Sequence, residues 1–132
     1  MTKKVLVTGG SGFIGSHVVD QLLKKKYKVT ILDKKKPIQK KIIFIKGSIL
    51  NKNLIKKAIN KVDYIIHLAA ISDIDLAMKN PIKTIKYNNL GTAYLLEAAR
   101  KYKIKRFIFA GTYFSNSIFG NIYTSTKSFS EK

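Results

Sequence analysis

The 132-residue sequence predicts an α/β fold, a doubly wound parallel sheet in three αβα layers that stops after a fifth strand. Short β-branched and apolar runs alternate along the chain with longer segments whose apolar residues recur at helical spacing. The short runs are apolar on both faces, which is typical of parallel strands covered by helices on each side. No repeat, linker or second domain interrupts the alternation, so we expect residues 1–132 to form one domain.

Five strands are predicted from runs rich in Val, Ile, Leu and Phe. They lie at residues 3–8, 28–33, 42–45, 64–68 and 106–110. The first strand runs directly into Gly9 and Gly10, and Pro37 lies in the lysine-rich connection after the second. Parallel strands need long crossover connections, so the longer gaps have to hold helices.

Three helices are predicted between these strands. The third should begin with Asn80 as its N-cap and Pro81 in the first helical position, and run to about Tyr102. We interpret the segment before it, with Asp73 and Asp75, as a solvated loop. The residues expected on buried helix faces are Ile14, Val18 and Leu22 in the first helix, Leu54, Ile55, Ala58 and Ile59 in the second, and Ile85, Leu96 and Ala99 in the third.

Composition excludes several classes of protein. A hydrophobic content of 45% covers a core, which excludes wholesale disorder and collagen. No apolar run is long enough to span a membrane, and the N-terminal apolar run is too short for a signal peptide, so we expect a cytoplasmic protein. The chain has no cysteine, which excludes disulfides and thiolate metal ligands. His17 and His67 have no partners at ligand spacing, so no metal is expected.

The formal charge of +19, from 26 basic and 7 acidic residues, raises nucleic acid as a partner. All basic residues except Arg100 and Arg106 are lysines, however, and they are spread along the chain. Base readout and bidentate phosphate binding favour Arg. We therefore expect a solvated basic surface rather than a nucleic-acid site.

A glycine-rich turn carries the first functional signal. Gly9, Gly12 and Gly15 are spaced three apart between the first strand and its helix. Such a turn lets backbone without Cβ lie against a diphosphate, which then faces the N–H groups of the helix. Asp33 ends the second strand, 18 residues after Gly15, where a carboxylate can accept hydrogen bonds from ribose hydroxyls and repel a 2′-phosphate. The pattern predicts NAD.

Asp33 has an alternative reading. It can simply initiate a turn. The lysines at 34–36 could also attract a 2′-phosphate, which would favour NADP.

Tyr123 and Lys127 form the catalytic signal, since residues four apart share one helix face. The Lys127 ammonium beside the phenol would lower the pKa of Tyr123 and let it act as a base.

These motifs together resemble the extended short-chain dehydrogenase/reductase family, specifically its NAD-dependent nucleotide-sugar epimerases and dehydratases. The matching segments are Thr8-Gly9-Gly10-Ser11-Gly12-Phe13-Ile14-Gly15, His67-Leu68-Ala69-Ala70, Asn88-Asn89-Leu90-Gly91-Thr92 and Leu95-Leu96-Glu97-Ala98-Ala99. The resemblance implies a Rossmann-type fold with strand order 3-2-1-4-5 and NAD across the carboxyl ends of the strands.

The resemblance also implies roles for particular residues. Tyr123 would move a proton at a sugar hydroxyl, Thr112 would hydrogen-bond the same substrate oxygen, and Lys127 would hold the nicotinamide ribose. Asn88 matches the family's Asn before Gly-Thr, although Asn89 is an alternative register. The cofactor contacts it implies are Gly9, Gly12, Phe13, Ile14, Gly15, Asp33, Ser48, Leu68, Ala69, Ala70, Asn88 and Lys127.

The sequence departs from the family pattern in three places. Ser48 follows Gly47 where the family usually has an Asp on the adenine amine. Tyr123 follows Thr112 by only 11 positions, and the chain ends at Lys132. We therefore expect an incomplete domain that lacks the C-terminal substrate-binding region.

That incompleteness affects partners and activity. The nucleotide-sugar would need a completing C-terminal region, and a homodimer is possible through the exposed sheet edge. We expect the isolated chain to bind NAD weakly or not at all and to turn over no sugar nucleotide. The alternatives to an enzyme are a non-catalytic NAD-binding module and a cationic RNA-binding module.

Overall fold

The computed structural model describes residues 2–116 and 120–132 and contains a five-stranded, fully parallel sheet of order β3-β2-β1-β4-β5. This confirms the α/β fold and the strand order that the resemblance implied. The strands are β1 (Lys4–Thr8), β2 (Lys28–Asp33), β3 (Ile43–Lys46), β4 (Tyr64–His67) and β5 (Arg106–Phe109).

Helices connect and cover these strands. They are α1 (Phe13–Lys24), α2 (Lys52–Ile59), α3 (Ile74–Lys79), α4 (Pro81–Ile85), α5 (Gly91–Lys101) and α6 (Ile122–Glu131). A π-helical segment (Lys86–Leu90) joins α4 to α5, and Tyr113–Asn116 form a 3-10 helix. Within the described ranges, no helix combines the length and apolarity needed to cross a bilayer.

The sheet separates two apolar clusters, because successive side chains of a strand point to opposite faces. Val5 and Val7 of β1 face α1, where they pack with Val19, and Leu6 between them faces α2 and α5. The cluster on the α1 side is Val5, Val7, Val19, Val29 and Ile31. The larger cluster on the other side is Leu6, Leu32, Ile45, Ile49, Ile55, Ala58, Ile59, Ile65, Leu95 and Ala99. Helices on both faces give the three predicted layers.

The buried face of α1 differs from the prediction. Gly15 and Val19 are buried, whereas Ile14 is 64% exposed and Val18 only half-buried. The glycine turn fixes where α1 begins and presses Gly15 against it. The buried stripe is therefore displaced by one residue from the apolar periodicity of the sequence.

The third predicted helix agrees with the prediction in part: Ala99 is buried as expected, but Ile85 and Leu96 are not. Its buried residues include Thr84, Asn88 and Thr92, whereas Ile85 and Leu96 are each 46% exposed. The π-helical segment widens one turn of this run, which shifts the residues that follow relative to an α-helical register. Thr84, Asn88 and Thr92 can be buried because their side chains have hydrogen-bond partners inside the molecule.

Pro81 opens α4 with Asn80 in the N-cap position, as predicted, but the expected cap by the Asn80 side chain is absent. The predicted loop before this helix is wrong. The Asp73 carboxylate accepts a hydrogen bond from the Leu76 N–H at 2.8 Å and caps α3, so the segment with Asp75 is helical rather than a solvated loop. The Asn80 side chain makes no cap hydrogen bond to α4, and its amide donates back to the Leu76 carbonyl at 3.4 Å.

The Asp73 cap gives a test of this part of the fold. Asp73→Ala should lower the free energy of unfolding by about 1 kcal/mol, because the Leu76 N–H loses its acceptor. Asp73→Asn is the matched control, since its amide oxygen keeps the acceptor without the charge. Urea unfolding followed by circular dichroism measures both. Equal losses for the two variants would show that the charge, not the cap, stabilises α3.

Candidate functional site

Gly9 and Gly15 bring three backbone segments together at the carboxyl edge of the sheet. Gly9 has a φ of +72°, and a Cβ there would lie 2.7 Å from the Ala69 nitrogen. A Cβ on Gly15 would lie 2.1 Å from the Gly9 carbonyl oxygen. Neither position can accept a side chain without moving backbone. The turn is therefore as tight as the spacing predicts, and Gly15 packs against the turn itself.

Gly12 differs from these two glycines. A Cβ on Gly12 would have one neighbour within 4 Å, the Gly9 oxygen at 3.3 Å, so space is open on the outer side of the turn. Its N–H donates to the Gly9 carbonyl at 3.1 Å, and its own carbonyl accepts the Ser16 N–H at 2.9 Å. This geometry leaves room for a ligand at Gly12 without disturbing the fold.

The N-terminus of α1 faces this space. Gly12 is its N-cap and offers no side-chain acceptor, and the first turn carries no acidic residue. The first N–H groups of a helix have no intrahelical partner and lie at the positive end of the dipole. Phe13 and Ile14 stand 85% and 64% exposed on this turn. The residues present thus fit a diphosphate, the central group of NAD.

Asp33 joins the end of β2 to the glycine turn. One carboxylate oxygen accepts the Ser11 N–H at 2.9 Å, and the other accepts the Lys35 N–H at 3.0 Å. The hydrogen bond from Lys35 is the turn-forming role given above as the alternative. The hydrogen bond from Ser11 places the carboxylate beside the glycine turn. A carboxylate has about four acceptor sites, so Asp33 retains capacity for ribose hydroxyls.

Lys34 lies over an aromatic ring. Its ammonium lies 3.9 Å from the centroid of the Tyr87 ring. Partial burial lowers the pKa of Lys34, and the nearby Lys83 lowers it further. The Tyr87 hydroxyl accepts a hydrogen bond from Ser48 at 2.9 Å, and the Ser48 oxygen also accepts the Leu50 N–H at 3.0 Å. Ser48 thus has partners within the protein at the place expected for an adenine contact.

Leu68, Ala69 and Ala70 follow β4 beside the glycine turn. The Leu68 N–H donates to the Thr8 carbonyl at 3.0 Å, and the Ala69 N–H donates to the Thr8 hydroxyl at 3.3 Å. These bonds hold the segment against Gly9. The first two predicted cofactor-lining residues therefore lie at the same sheet edge as the turn.

Asn88 is buried in the π-helical segment. Its amide oxygen accepts the Ile71 N–H at 2.8 Å, and its amide nitrogen donates to the Ile71 carbonyl at 3.1 Å and the Thr126 hydroxyl at 3.0 Å. Asn89 instead contacts α6, donating to the Thr126 carbonyl at 2.8 Å. Asn88 thus fixes the chain after Ala70 and contacts the helix that carries Tyr123.

Tyr123 and Lys127 lie one turn apart on α6. Lys127 is 5% exposed, its ammonium donates to the Ala110 carbonyl, and it lies 4.0 Å from the centroid of the Phe109 ring. Burial lowers the pKa of Lys127, and Glu131 partly opposes that shift. Tyr123 is half-buried. Among the described residues, the Lys127 hydrogen bond goes to the end of β5 and not to the Tyr123 hydroxyl.

Thr112 lies just beyond β5, next to the end of α6. Its N–H donates to the Glu131 carboxylate at 3.0 Å, and its hydroxyl accepts the Phe114 N–H at 3.4 Å. Glu131 was missed by sequence reasoning, although its position four residues after Lys127 places it on the same face of α6. Part of the short connection between Thr112 and Tyr123, residues 117–119, lies outside the described residues.

Sequence reasoning considered His67 as a metal ligand and as part of a matching segment, but it missed the buried hydrogen bonds of the ring. The ring is 1% exposed and bonded through Nδ1 to the Thr8 hydroxyl at 2.6 Å and through Nε2 to the Thr92 hydroxyl at 2.8 Å. Burial, with a smaller contribution from Lys127, lowers the pKa of His67 from 6.5 to about 3, so the ring is neutral near pH 7. A histidine ending an otherwise apolar strand was the available signal. Across residues 2–116 and 120–132, no group of three His, Asp or Glu side chains is arranged to hold a metal.

Comparisons with known proteins agree with this geometry. The family model described as "NAD dependent epimerase/dehydratase family" matches residues 5–130. A dTDP-D-glucose 4,6-dehydratase of Dictyostelium discoideum is 40% identical in an alignment of 127 residues. The match covers 83% of this chain and 29% of the relative.

Solved structures match over nearly the whole chain. The UDP-glucose 4-epimerase of Thermotoga maritima, solved with UDP-glucose, has a TM-score of 0.88 and 30% identity over 97% of this chain and 48% of its own. The Thermus thermophilus UDP-glucose 4-epimerase, solved with NAD, has a TM-score of 0.87 and 28% identity, with the same coverage of 97% and 48%.

The chain therefore spans about half of these two solved proteins and less than a third of the dehydratase. Residues 5–130, the part that the family model matches, include the glycine turn and the helix with Tyr123 and Lys127. On the match to residues 5–130, the chain belongs to the NAD-dependent epimerase/dehydratase family.

Proposed function

We propose that residues 1–132 form the NAD-binding domain of a nucleotide-sugar epimerase or dehydratase. The observation that carries this proposal is the open space at Gly12 in front of the uncapped N-terminus of α1, beside the tight contact of Gly9 with Ala69. Family membership and the NAD complex of a solved relative support the choice of ligand. Sugar nucleotide binding would need further structure of the kind that the relatives have beyond the matched half.

The residues that would hold NAD are those of the sheet edge. The N–H groups at Phe13, Ile14 and Gly15 would bind the diphosphate, and Asp33 the adenosine ribose. Ser48, with Tyr87 behind it, would lie near the adenine. The chemistry supplied by bound NAD is reversible hydride transfer.

The remaining contacts complete the proposed cofactor site. Leu68, Ala69 and Ala70 would line the cofactor on the β4 side, and Asn88 would hold that segment in place through Ile71. Lys127 would hold the nicotinamide ribose.

Tyr123 would be the acid and base of the reaction. It would take a proton from a sugar hydroxyl and return it, while the Thr112 hydroxyl binds the same oxygen. Because Lys127 is held by the Ala110 carbonyl, its charge would stay fixed relative to the end of β5.

Gly12 provides the sharpest test of NAD binding. Gly12→Val should weaken NAD binding at least about tenfold, because its side chain fills the space expected for the diphosphate. Titration of amide NMR shifts with NAD measures this even where binding is weak. Unchanged affinity in Gly12→Val would contradict the proposed site.

Gly15 supplies the matched control for Gly12. Gly15→Ala should unfold the turn or the chain, because its Cβ would lie 2.1 Å from the Gly9 oxygen. Gly12→Val should instead keep the circular dichroism spectrum and lower the melting temperature far less than Gly15→Ala, because its Cβ would lie 3.3 Å from the Gly9 oxygen. A large stability loss in Gly12→Val would mean that its space is needed for folding rather than for a ligand.

The carboxylate of Asp33 predicts coenzyme preference. NAD should bind at least about tenfold more tightly than NADP, because the 2′-phosphate would lie beside a second anion. Asp33→Asn should reduce the difference in affinity between NAD and NADP, since the Asn side chain keeps an acceptor and removes the charge. Isothermal calorimetry with both coenzymes decides the point. Equal dissociation constants for NAD and NADP in the parent chain would overturn this role of Asp33.

Tyr123 can be tested in a chimera that joins residues 1–130 to the unmatched C-terminal half of the Thermotoga maritima epimerase. The chimera should act on UDP-glucose, whereas the 132-residue chain alone should not. In the chimera, Tyr123→Phe should slow turnover by about 10²–10⁴-fold without weakening NAD binding. Turnover is followed by separating the sugar nucleotides. A Tyr123→Phe chimera as active as its parent would assign the proton transfer to another group.

A further inference from the structure

A row of buried hydrogen bonds runs beneath the glycine turn and includes Thr8, His67 and Thr92, to which the proposed chemistry gives no role. It begins where the Ala69 N–H donates to the Thr8 hydroxyl at 3.3 Å. That hydroxyl lies 2.6 Å from His67 Nδ1, and His67 Nε2 lies 2.8 Å from the Thr92 hydroxyl. The Thr92 hydroxyl is 2.6 Å from the main-chain carbonyl oxygen of Asn88. Thr8, His67, Asn88 and Thr92 are all at most 3% exposed.

Counting protons fixes the direction of this row. A carbonyl oxygen only accepts, so the single Thr92 proton goes to Asn88. The Thr92 oxygen must then accept from His67, which places the ring proton on Nε2. In the neutral ring Nδ1 is an acceptor, so Thr8 gives its proton to Nδ1 and accepts the Ala69 N–H. Each group in the row has one consistent role.

The same row continues to α6 through Asn88. Its amide donates to the Thr126 hydroxyl at 3.0 Å, and that hydroxyl donates to the Tyr123 carbonyl at 2.8 Å. The Ser130 hydroxyl also donates to the Asn88 carbonyl at 2.9 Å. The row therefore reaches from the segment against Gly9 to the backbone of the residue proposed as acid and base.

We propose that His67, as the neutral Nε2–H tautomer, is a positioning residue. It holds the contact between Gly9 and Ala69 and the helix carrying Tyr123 in one fixed arrangement. The inference deepens the proposed function and rests on it for its catalytic meaning. The ring makes no contact with the reacting atoms in this account. It acts through Thr8 on one side and through Thr92 and Asn88 on the other.

The opposite tautomer would break the row at two points. A proton on Nδ1 would face the Thr8 hydroxyl, which would have to turn its own proton elsewhere in a buried site. Nε2 would then present a lone pair to the Thr92 oxygen, whose proton is already given to Asn88. Buried polar groups left without partners are costly, and the cost rises where dielectric screening is weak. The surroundings thus select one tautomer.

The tautomer can be read directly from the parent chain without any coenzyme. Nitrogen-15 NMR of the His67 ring should show a protonated Nε2 and an unprotonated Nδ1 across the neutral pH range. A protonated Nδ1, or fast exchange between the two forms, would overturn the proposal. This measurement does not depend on whether NAD binds.

Two amide variants separate the halves of the row. The Asn oxygen in His67→Asn can take the place of Nδ1 and still accept from Thr8, whereas the Gln amide in His67→Gln can take the place of Nε2 and still donate to Thr92. Hydrogen exchange of the Ala69 amide and of the α6 amides gives one readout for each end. We expect His67→Asn to speed exchange mainly in α6, and His67→Gln mainly at Ala69, each by about tenfold.

We call this result, faster exchange in α6 for His67→Asn and at Ala69 for His67→Gln, the crossed pattern. A general loss of stability would not produce it. Equal acceleration at both ends in both variants, or no change at either end, would overturn the proposal. Should both variants fail to fold, Thr92→Val and Thr92→Ser replace them. Thr92→Ser should match the parent chain, and Thr92→Val should loosen α6 while leaving Ala69 protected; any other result counts against the row.

NAD titration then separates this inference from the proposed function. If the parent chain shows the Nε2–H tautomer, the variants show the crossed pattern and NAD does not bind, the positioning role stands and the proposed coenzyme site is wrong. A parent chain that binds NAD but shows no crossed pattern would keep the coenzyme site and lose the role of His67.

Discussion

The close approach of backbone to backbone at Gly9 and Gly15 is the constraint on which the functional edge depends. A side chain at either position would meet backbone nitrogen or oxygen at 2.7 Å or less. This approach brings the ends of β1 and β4 together and determines that α1 starts at Phe13. The helix N-terminus consequently faces open space instead of protein, and an anion can occupy that space.

Beneath this edge the molecule uses polar groups where the rest of the interior is apolar. The buried members of the two described clusters on the faces of the sheet are all aliphatic, and partly buried aromatic side chains pack against them. Next to them, Thr8, His67, Asn88 and Thr92 are equally buried and fully hydrogen-bonded. A satisfied polar network specifies one arrangement of its members, because any displacement leaves a buried group without a partner. Apolar packing allows more adjustment, so precision is concentrated where the coenzyme and Tyr123 are expected.

Sequence reasoning succeeded where one local pattern decides the outcome. The strands were found because each is a short apolar run, and the tight turn because glycine was spaced for it. It failed on helix faces, since apolar periodicity assigned Ile14, Ile85 and Leu96 to the interior whereas Gly15 and Asn88 are buried there. Periodicity assumes that buried positions are apolar and that helices are regular. A glycine contact in α1 and a π-helical turn before α5 violate both assumptions.

The sequence by itself determined the order of the strands along the chain, the glycine turn and the presence of Tyr123, Lys127 and Thr112. Only the tertiary structure decided the partners of these groups: the Ala110 carbonyl for Lys127, Glu131 for Thr112, and Thr8 with Thr92 for His67. The reason is physical. Strand and turn preferences are set by neighbours along the chain, whereas the hydrogen bonds of His67 join residues 59 and 25 positions away that meet only once the sheet and helices have packed.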